Sequence, residues 1–439
     1  MERPKADTAR LRASGHALSL AIVAAGCVIG QVAILTRRPL AFELPDSGAY
    51  IVLGMRLMHQ PSLMNLFDAY RTPGYPALLA LVGGLQGAVG RDGIVYVQAA
   101  LMVLTALELY VLTFGRASSR VAATAAAFLF ATNVRLLDWE RLVMTESPAI
   151  FLVTTMLLAF WLWLRTRATR WAILLAASSA LGMLTRPSLL YLPACLLAIV
   201  LIAERRRWLP VAVVLVAAYA PVVGYSLINE HLNPHAGLSA VGNINLLGKV
   251  LEYGMQGDGD RARFPTLAQA IGALSPGDRD PYNLLLFSSD AMGPNYSDAA
   301  TFSVGIFERH PLDYLEKSAA DFARQWLLVP YAYIPPGSFQ ALSQALASYA
   351  LVTYAAYPAL PLAVIALIVF WPRLDREVAL GIVALPVAVA GSLATTALFS
   401  YVDFARLKTP VDALALVAVI AIAARVANGA ISRPPSPRL

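Results

Sequence analysis

The chain has 439 residues, 58% of them hydrophobic and only 14% charged, with a formal net charge of +7. That balance is too apolar for a soluble globular chain of this size. The basic residues are dealt out between the hydrophobic segments rather than gathered in one patch, which argues against nucleic acid as a partner.

Taken in chain order, ten apolar windows have the length of a bilayer-crossing helix, about 15 to 25 residues. They are 16–36, 94–114, 121–134, 147–164, 171–185, 188–203, 208–228, 347–371, 378–399 and 410–426. The first reads as a span rather than a cleaved leader, because the Thr36-Arg-Arg-Pro39 that follows lacks a small-residue cleavage site. Cys27 and Cys195 both fall inside such windows, so neither a disulfide framework nor a zinc cluster is expected. An eleventh stretch, 76–90, decides the sidedness of everything after it. If it spans with the N-terminus inside, Arg116 and Arg120, the Arg165, Arg167 and Arg170 group, and Arg205-Arg-Arg207 all lie outside, against the positive-inside rule. If it lies along the surface, or dips in and returns, these clusters become cytoplasmic, as do Arg373, Arg376, Arg433 and Arg438. Arg37 and Arg38 then fit poorly. Pro73, Gly74, Pro76 and the glycines at 83, 84, 87 and 90 also suit a short or broken helix.

The expected architecture is therefore an all-α polytopic membrane protein of about ten spanning helices, with short juxtamembrane helices in its first external loop and both termini cytoplasmic. Residues 1–228 form an N-terminal transmembrane module whose first loop is 37–92. Residues 229–343 form a long external insert, and 344–439 hold the last spanning helices and a cytoplasmic tail. The insert is too long for an ordinary connection. Its segment 302–328 reads as one amphipathic helix, lying at the membrane interface or packed on the bundle.

The chemistry gathers in the external segments. Asp46, in Glu43-Leu-Pro-Asp-Ser-Gly-Ala-Tyr50, stands just beyond the first membrane exit, where a carboxylate is costly unless wet, paired or functional. It could equally cap a surface helix over 47–60. Later in the same loop, Arg71-Thr-Pro-Gly-Tyr-Pro76 offers a cationic partner on a rigid turn. Asp46 has no Asp-x-Asp companion. Asp258-Gly-Asp260 and Asp278-Arg-Asp280 match that pattern but lie in the insert and read as solvated loop. His231 and His235 have Pro234 between them, which argues against a helix presenting both to a metal. A divalent cation stays possible, and no metal ligands are assigned.

Four short runs then occur in order: Asp46-Ser-Gly-Ala-Tyr50, Arg71-Thr-Pro-Gly-Tyr-Pro76, Thr145-Glu-Ser147 opening a helix, and Thr185-Arg-Pro187 between two helices. Together they resemble the GT-C membrane glycosyltransferases, above all the branch of protein O-mannosyltransferases and lipid A aminoarabinose transferases. The resemblance is best over 40–193, weakens in the insert and returns in Phe404-Ala-Arg-Leu-Lys-Thr-Pro410. It implies transfer of a sugar from a polyprenyl-phosphate donor to an acceptor hydroxyl at the outer membrane face, with inversion. Asp46 corresponds to the first-loop acid, the general base. Arg71, Tyr75, Arg186, Arg406 and Lys408 would bind donor and phosphate, with Arg406 and Lys408 foremost. Glu146 sits where the group often carries a second acid; it would orient the acceptor, help hold a cation, or simply complement a helix dipole. The stretch after the first-loop motif is a juxtamembrane helix in that group, in agreement with the charge argument. The Ala- and Arg-rich, Lys-poor composition points to a GC-rich bacterium, hence to an inner membrane with envelope glycan, lipid or protein as acceptor. A polytopic lipid or sugar transporter, or a flippase, is the alternative; it would put ionisable residues or Gly/Pro breaks at mid-membrane and show repeat symmetry.

Overall fold

A computed structural model describes residues 4–83, 87–274, 280–330, 339–401 and 403–431. Among these residues the fold is all helix and turn, with a single isolated bridge between Phe42 and Leu142. The N-terminal part runs α1 (Pro4–Leu35), α2 (Ser47–His59), α3 (Gly74–Val82), α4 (Gly87–Ala117), α5 (Arg120–Ala131) and the turn α6 (Val134–Leu137). It continues with α7 (Glu146–Thr166), α8 (Thr169–Thr185), α9 (Tyr191–Ala203) and α10 (Trp208–Leu232). The insert folds as α11 (Val241–Glu252), α12 (Pro265–Ala273), α13 (Pro281–Ser288), α14 (Ser297–Arg309) and α15 (Pro311–Gln325). The chain closes with α16 (Gln340–Tyr354), α17 (Ala356–Phe370), α18 (Arg376–Phe399), the turn α19 (Phe404–Leu407) and α20 (Thr409–Ile431).

All ten apolar windows fall on helices, of differing length. Among the described residues seven segments are long and apolar enough, and an eighth forms if α5 and Val134–Arg141, bent by 47°, make one broken span. The windows 171–185 and 188–203 fall on α8 and α9, of 17 and 13 residues. Both are at or below the short end of the spanning range, although α8 runs back along α7 from Thr169 to Arg186, which meets Glu146 at the start of α7. The eleventh stretch begins as α3, a helix of nine residues that stops at Gly83, whose φ of 69° is left-handed. Such a helix is about 14 Å long and cannot span.

Two further expectations change. The segment 302–328 is two helices, because Pro311 takes the first position of α15 and His310 breaks the run from α14. The buried strip of α15 is the polar one, Tyr314, Ser318, Asp321 and Gln325, while Leu312 and Leu315 are exposed. Arg37, a poor fit to the charge rule, is not a surface charge. It is buried with its Nη1 2.7 Å from Asp138, and Arg141 joins the same carboxylate at 3.3 Å. Arg116 is also buried, donating to the carbonyl oxygens of Gly381, Leu112 and Leu157, so it too drops out of the charge count. The tail arginines Arg433 and Arg438 and the glycine at 84 lie outside the described residues.

The main core runs through the long helices, around Phe130, Phe160, Leu157, Leu196 and Leu385. The insert has its own, built on Leu247, Val250, Leu267, Leu284, Phe302 and Ile306. Lys249 of α11 ties that unit down: fully buried, it lies 2.6 Å from Asp321 of α15 and over the ring of Phe404. Gly74 fixes the first loop in turn. A Cβ there would come within 2.8 Å of the backbone nitrogen of Thr185 at the end of α8. Gly74→Ala is therefore expected to destabilise the protein by about 1–3 kcal/mol, as overpacking against backbone does. Thermal unfolding in detergent checks this, and an unchanged midpoint would show that the contact is slack.

Candidate active site

The ends of several elements converge at one end of the bundle. Asp46 stands immediately before α2, in the position of a helix cap, but its own backbone is helical and its side chain makes no cap hydrogen bond. The capping reading fails, and the carboxylate is turned elsewhere. Its Oδ1 accepts from Arg71 Nη2 at 2.9 Å and its Oδ2 from Arg406 Nη1 at 3.2 Å. Arg406 carries the network onward, with its Nε donating to Glu146 Oε1 at 2.7 Å and its Nη1 3.4 Å from Asp403. Arg186 Nη1 reaches the same Glu146 oxygen at 2.9 Å and the Thr145 hydroxyl at 3.1 Å. Four of the residues singled out from sequence, Arg71, Arg186, Arg406 and Glu146, thus join Asp46 in one ionic network.

The acids differ in setting. Glu146 is completely buried at the start of α7, whereas the Asp46 side chain is 37% exposed and lines a half-open cavity of about 1400 Å³. Of these two acids only Asp46 is open to a bound molecule; Asp403, with a side chain 51% exposed, lines the same cavity beside it. Burial opposes the charge of Arg406, but Glu146, Asp46 and Asp403 together outweigh it and raise its pKa, so it stays cationic. Burial, with the charge of Glu146 adding to it, pushes the Asp403 carboxyl up, against the pull of Arg406. Several buried groups lack a hydrogen-bond partner among the described residues: Nε of Arg71, Nε and Nη2 of Arg186, and Oε2 of Glu146. Unpaired buried guanidinium donors beside a cavity are provision for an anion.

Two candidates do not reach the cavity. Tyr75 is fully buried behind it, its ring edge-on to Tyr50 and its hydroxyl bonded to Gln98 at 3.0 Å. Lys408 is turned into the bundle, 2.9 Å from Asp412 and 3.8 Å above the ring of Tyr357. Both expectations are corrected for the same reason. The helical repeat sends Lys408 to the inner face two positions after Arg406, and α3 turns Tyr75 inward. Losing one partner of the Lys408–Asp412 pair should cost about 3–5 kcal/mol, and replacing both with apolar residues should recover most of it. The expected result is that Lys408→Met unfolds at markedly lower temperature, while Lys408→Met with Asp412→Leu unfolds close to wild type. A double variant as unstable as Lys408→Met would show that the pair does not hold this region together.

Asp403 and Tyr50 were overlooked. Asp403 lies one turn before Arg406, and Tyr50 places its ring 4.6 Å beneath the Arg71 guanidinium. Both lay within or beside runs already quoted, so an i, i+3 charge pair and an aromatic partner for arginine were the available signals. In the insert, Asp258 accepts from Arg309 through its carbonyl and Asp260 closes a local turn at Arg263; neither lines the cavity. Asp278 is outside the described residues. No group of three or more His, Cys, Asp or Glu side chains positioned to hold a metal ion occurs among the described residues.

The fold has a likeness among solved structures. The archaeal oligosaccharyltransferase AglB from Archaeoglobus fulgidus, solved with an inhibitory peptide and a dolichol-phosphate, superposes over 95% of this chain with a TM-score of 0.51 at 15% identity. The chain has a GT-C fold. It spans about half of AglB, 52% of that chain, so the likeness covers one part of a longer protein. Within this GT-C chain, residues 70–252 match the family described as dolichyl-phosphate-mannose-protein mannosyltransferase, a stretch that begins one residue before Arg71 and includes Glu146 and Arg186. ArnT from Cupriavidus metallidurans, solved bound to undecaprenyl phosphate, is more distant, with a TM-score of 0.36 and 14% identity over 86% of this GT-C chain and 76% of its own. No curated protein matches the sequence.

Proposed function

We propose that the chain is a membrane glycosyltransferase that moves a sugar from a polyprenyl-phosphate carrier to an acceptor hydroxyl, with Asp46 as general base. The observation that carries this is the partly exposed Asp46 carboxylate held between Arg71 and Arg406 in a large cavity, beside buried arginine donors with nothing to bind. The matching family is named for a dolichyl-phosphate sugar donor and AglB was solved with a dolichol-phosphate, which supports a lipid phosphate as the anion.

The chemistry balances on these groups. The acceptor oxygen attacks the anomeric carbon from the side opposite the phosphate, giving inversion. Its proton passes to Asp46 as the new C–O bond makes that proton acidic. The bond from anomeric carbon to phosphate oxygen breaks, and its electron pair stays on the phosphate, where the free donors of Arg71 and Arg186 and the charge of Arg406 stabilise it. Glu146, which touches only arginines in the network, holds Arg186 and Arg406 in place. We place the site at the external face of a bacterial inner membrane, because that sidedness leaves Arg120, the Arg165 to Arg170 group and Arg205-Arg-Arg207 cytoplasmic.

Protein purified into nanodiscs and offered polyprenyl-phosphate sugars with a mixed panel of hydroxyl acceptors should release polyprenyl phosphate and form a glycoside. Passage of the intact donor lipid across a bilayer without cleavage would instead make the chain a flippase and end the transferase reading.

A further inference from the structure

The cavity is larger than its ionic cluster needs. At about 1400 Å³ it exceeds the roughly 300–1,000 Å³ usual for one small ligand, leaving room for a second molecule beside the donor. Its guanidinium groups among the described residues are Arg71, Arg186 and Arg406, all tied to Asp46 or Glu146. The described part of the insert adds no Lys or Arg to the lining; it brings amides, hydroxyls, the Tyr282 phenol, the His235 imidazole and the Glu230 carboxylate. Tyr282, at the start of α13, pairs with Tyr401 at a ring separation of 6.5 Å and a tilt of 38°. Tyr401 rests directly on α11, where Gly248 makes the space; a Cβ there would come within 2.3 Å of its ring. Asn243 donates its amide hydrogens to the carbonyl oxygens of His235 and Asn295 and keeps its own oxygen as an acceptor. Burial first, and then the charge of Asp46, push the Tyr282 phenol up, so this ring stands within electrostatic reach of the base.

We infer that this wall seats the acceptor, and that the acceptor is an uncharged carbohydrate stacked on Tyr282 and Tyr401 with one hydroxyl turned to Asp46; this rests on the transferase reading above. A sugar ring offers a C–H face to an aromatic ring, and one of its hydroxyls can donate to the remaining amide oxygen of Asn243. An anionic acceptor would face Asp46, Asp403 and Glu230, and besides the three arginines that the donor phosphate needs, the lining among the described residues offers it only the imidazole of His235.

The test uses the full chain in nanodiscs and saturation-transfer NMR with mannobiose, maltotriose, a Ser/Thr-containing octapeptide and glucosamine 1-phosphate as probes. Undecaprenyl phosphate is titrated separately by tryptophan fluorescence. A neutral oligosaccharide should bind, weaken at least about tenfold in Tyr282→Ala, and persist in Tyr282→Phe. Undecaprenyl phosphate should bind wild type and Tyr282→Ala alike, which also shows that the variant is folded, and should weaken in Arg406→Ala. Preference for the peptide or the phosphorylated sugar would overturn the inference, as would equal oligosaccharide binding by Tyr282→Ala. Displacement of the oligosaccharide by undecaprenyl-phosphate mannose, but not by undecaprenyl phosphate, would give the wall to the donor's sugar and overturn it too. Failure of the wild type to bind undecaprenyl phosphate would remove the transferase reading itself; oligosaccharide failure with lipid-phosphate binding intact would sink only the acceptor assignment.

Discussion

Asp46→Asn should lower kcat by about 10²–10⁴, the usual contribution of a general base, and leave the KM for the lipid donor nearly unchanged. The substitution keeps the shape of the side chain and one acceptor oxygen, which can serve Arg71 or Arg406 but not both. What is lost is the site that receives the acceptor's proton. The exposure of Asp46 matters here, because the amide remains solvated and the fold should survive; a thermal midpoint within a few degrees of wild type confirms it. Single-turnover transfer from a polyprenyl-phosphate sugar is the measurement. Equal rates for Asp46→Asn and wild type would remove Asp46 as the base, and a rise in donor KM alone would make it a binding residue.

Arg406→Ala should be the most damaging single change. Arg406 touches Asp46, Glu146 and Asp403 at 3.2, 2.7 and 3.4 Å. Without it, Glu146 keeps only Arg186, and a carboxylate with no exposure loses half of its charge compensation. Leaving a buried charge underpaired costs about 3–5 kcal/mol. The leaving phosphate loses a donor as well, worth about 10²–10³ in kcat at an oxyanion site. The two losses separate by design. Arg406→Ala with Glu146→Gln removes the uncompensated charge and should regain most of the stability but little of the activity. Full recovery of transfer in the double variant would show that Arg406 serves only to neutralise Glu146. Arg406→Lys should fall between, since a point charge cannot bridge several carboxylates as a planar fork does.

The sequence made the long apolar helices legible because hydrophobic length is a local property. It was less able to give their lengths and breaks, since α8 and α9 are shorter than the other apolar helices and α5 is bent by 47° from the segment after it. The non-spanning α3 was recovered from charge bookkeeping, although Arg37 and Arg116 entered that bookkeeping wrongly. A buried arginine and a surface arginine are the same letter, and the difference lies in the carboxylate or the carbonyl oxygens that meet them in three dimensions. At the site, Asp46, Arg71, Glu146 and Arg186 were readable from short motifs. Lys408 was misplaced because a motif carries residue order but not helical phase. Tyr282 and Tyr401 stayed hidden, because nothing in their immediate neighbours marks them as sharing a cavity with Asp46.

The partners of Arg406 have a bearing on biogenesis. Arg406 lies 260 residues after Glu146 and 360 after Asp46, so neither pairing exists while the first half of the chain is being made. During synthesis the nascent α7 and α8 can offer Glu146 only Arg186, forty residues on. Contacts of such long sequence separation form late. The ionic network is then a completion signal. A ribosome-stalled or truncated chain ending before α19 should insert into the membrane but stay open at its acidic end, where hydrogen exchange or a quality-control protease would find it.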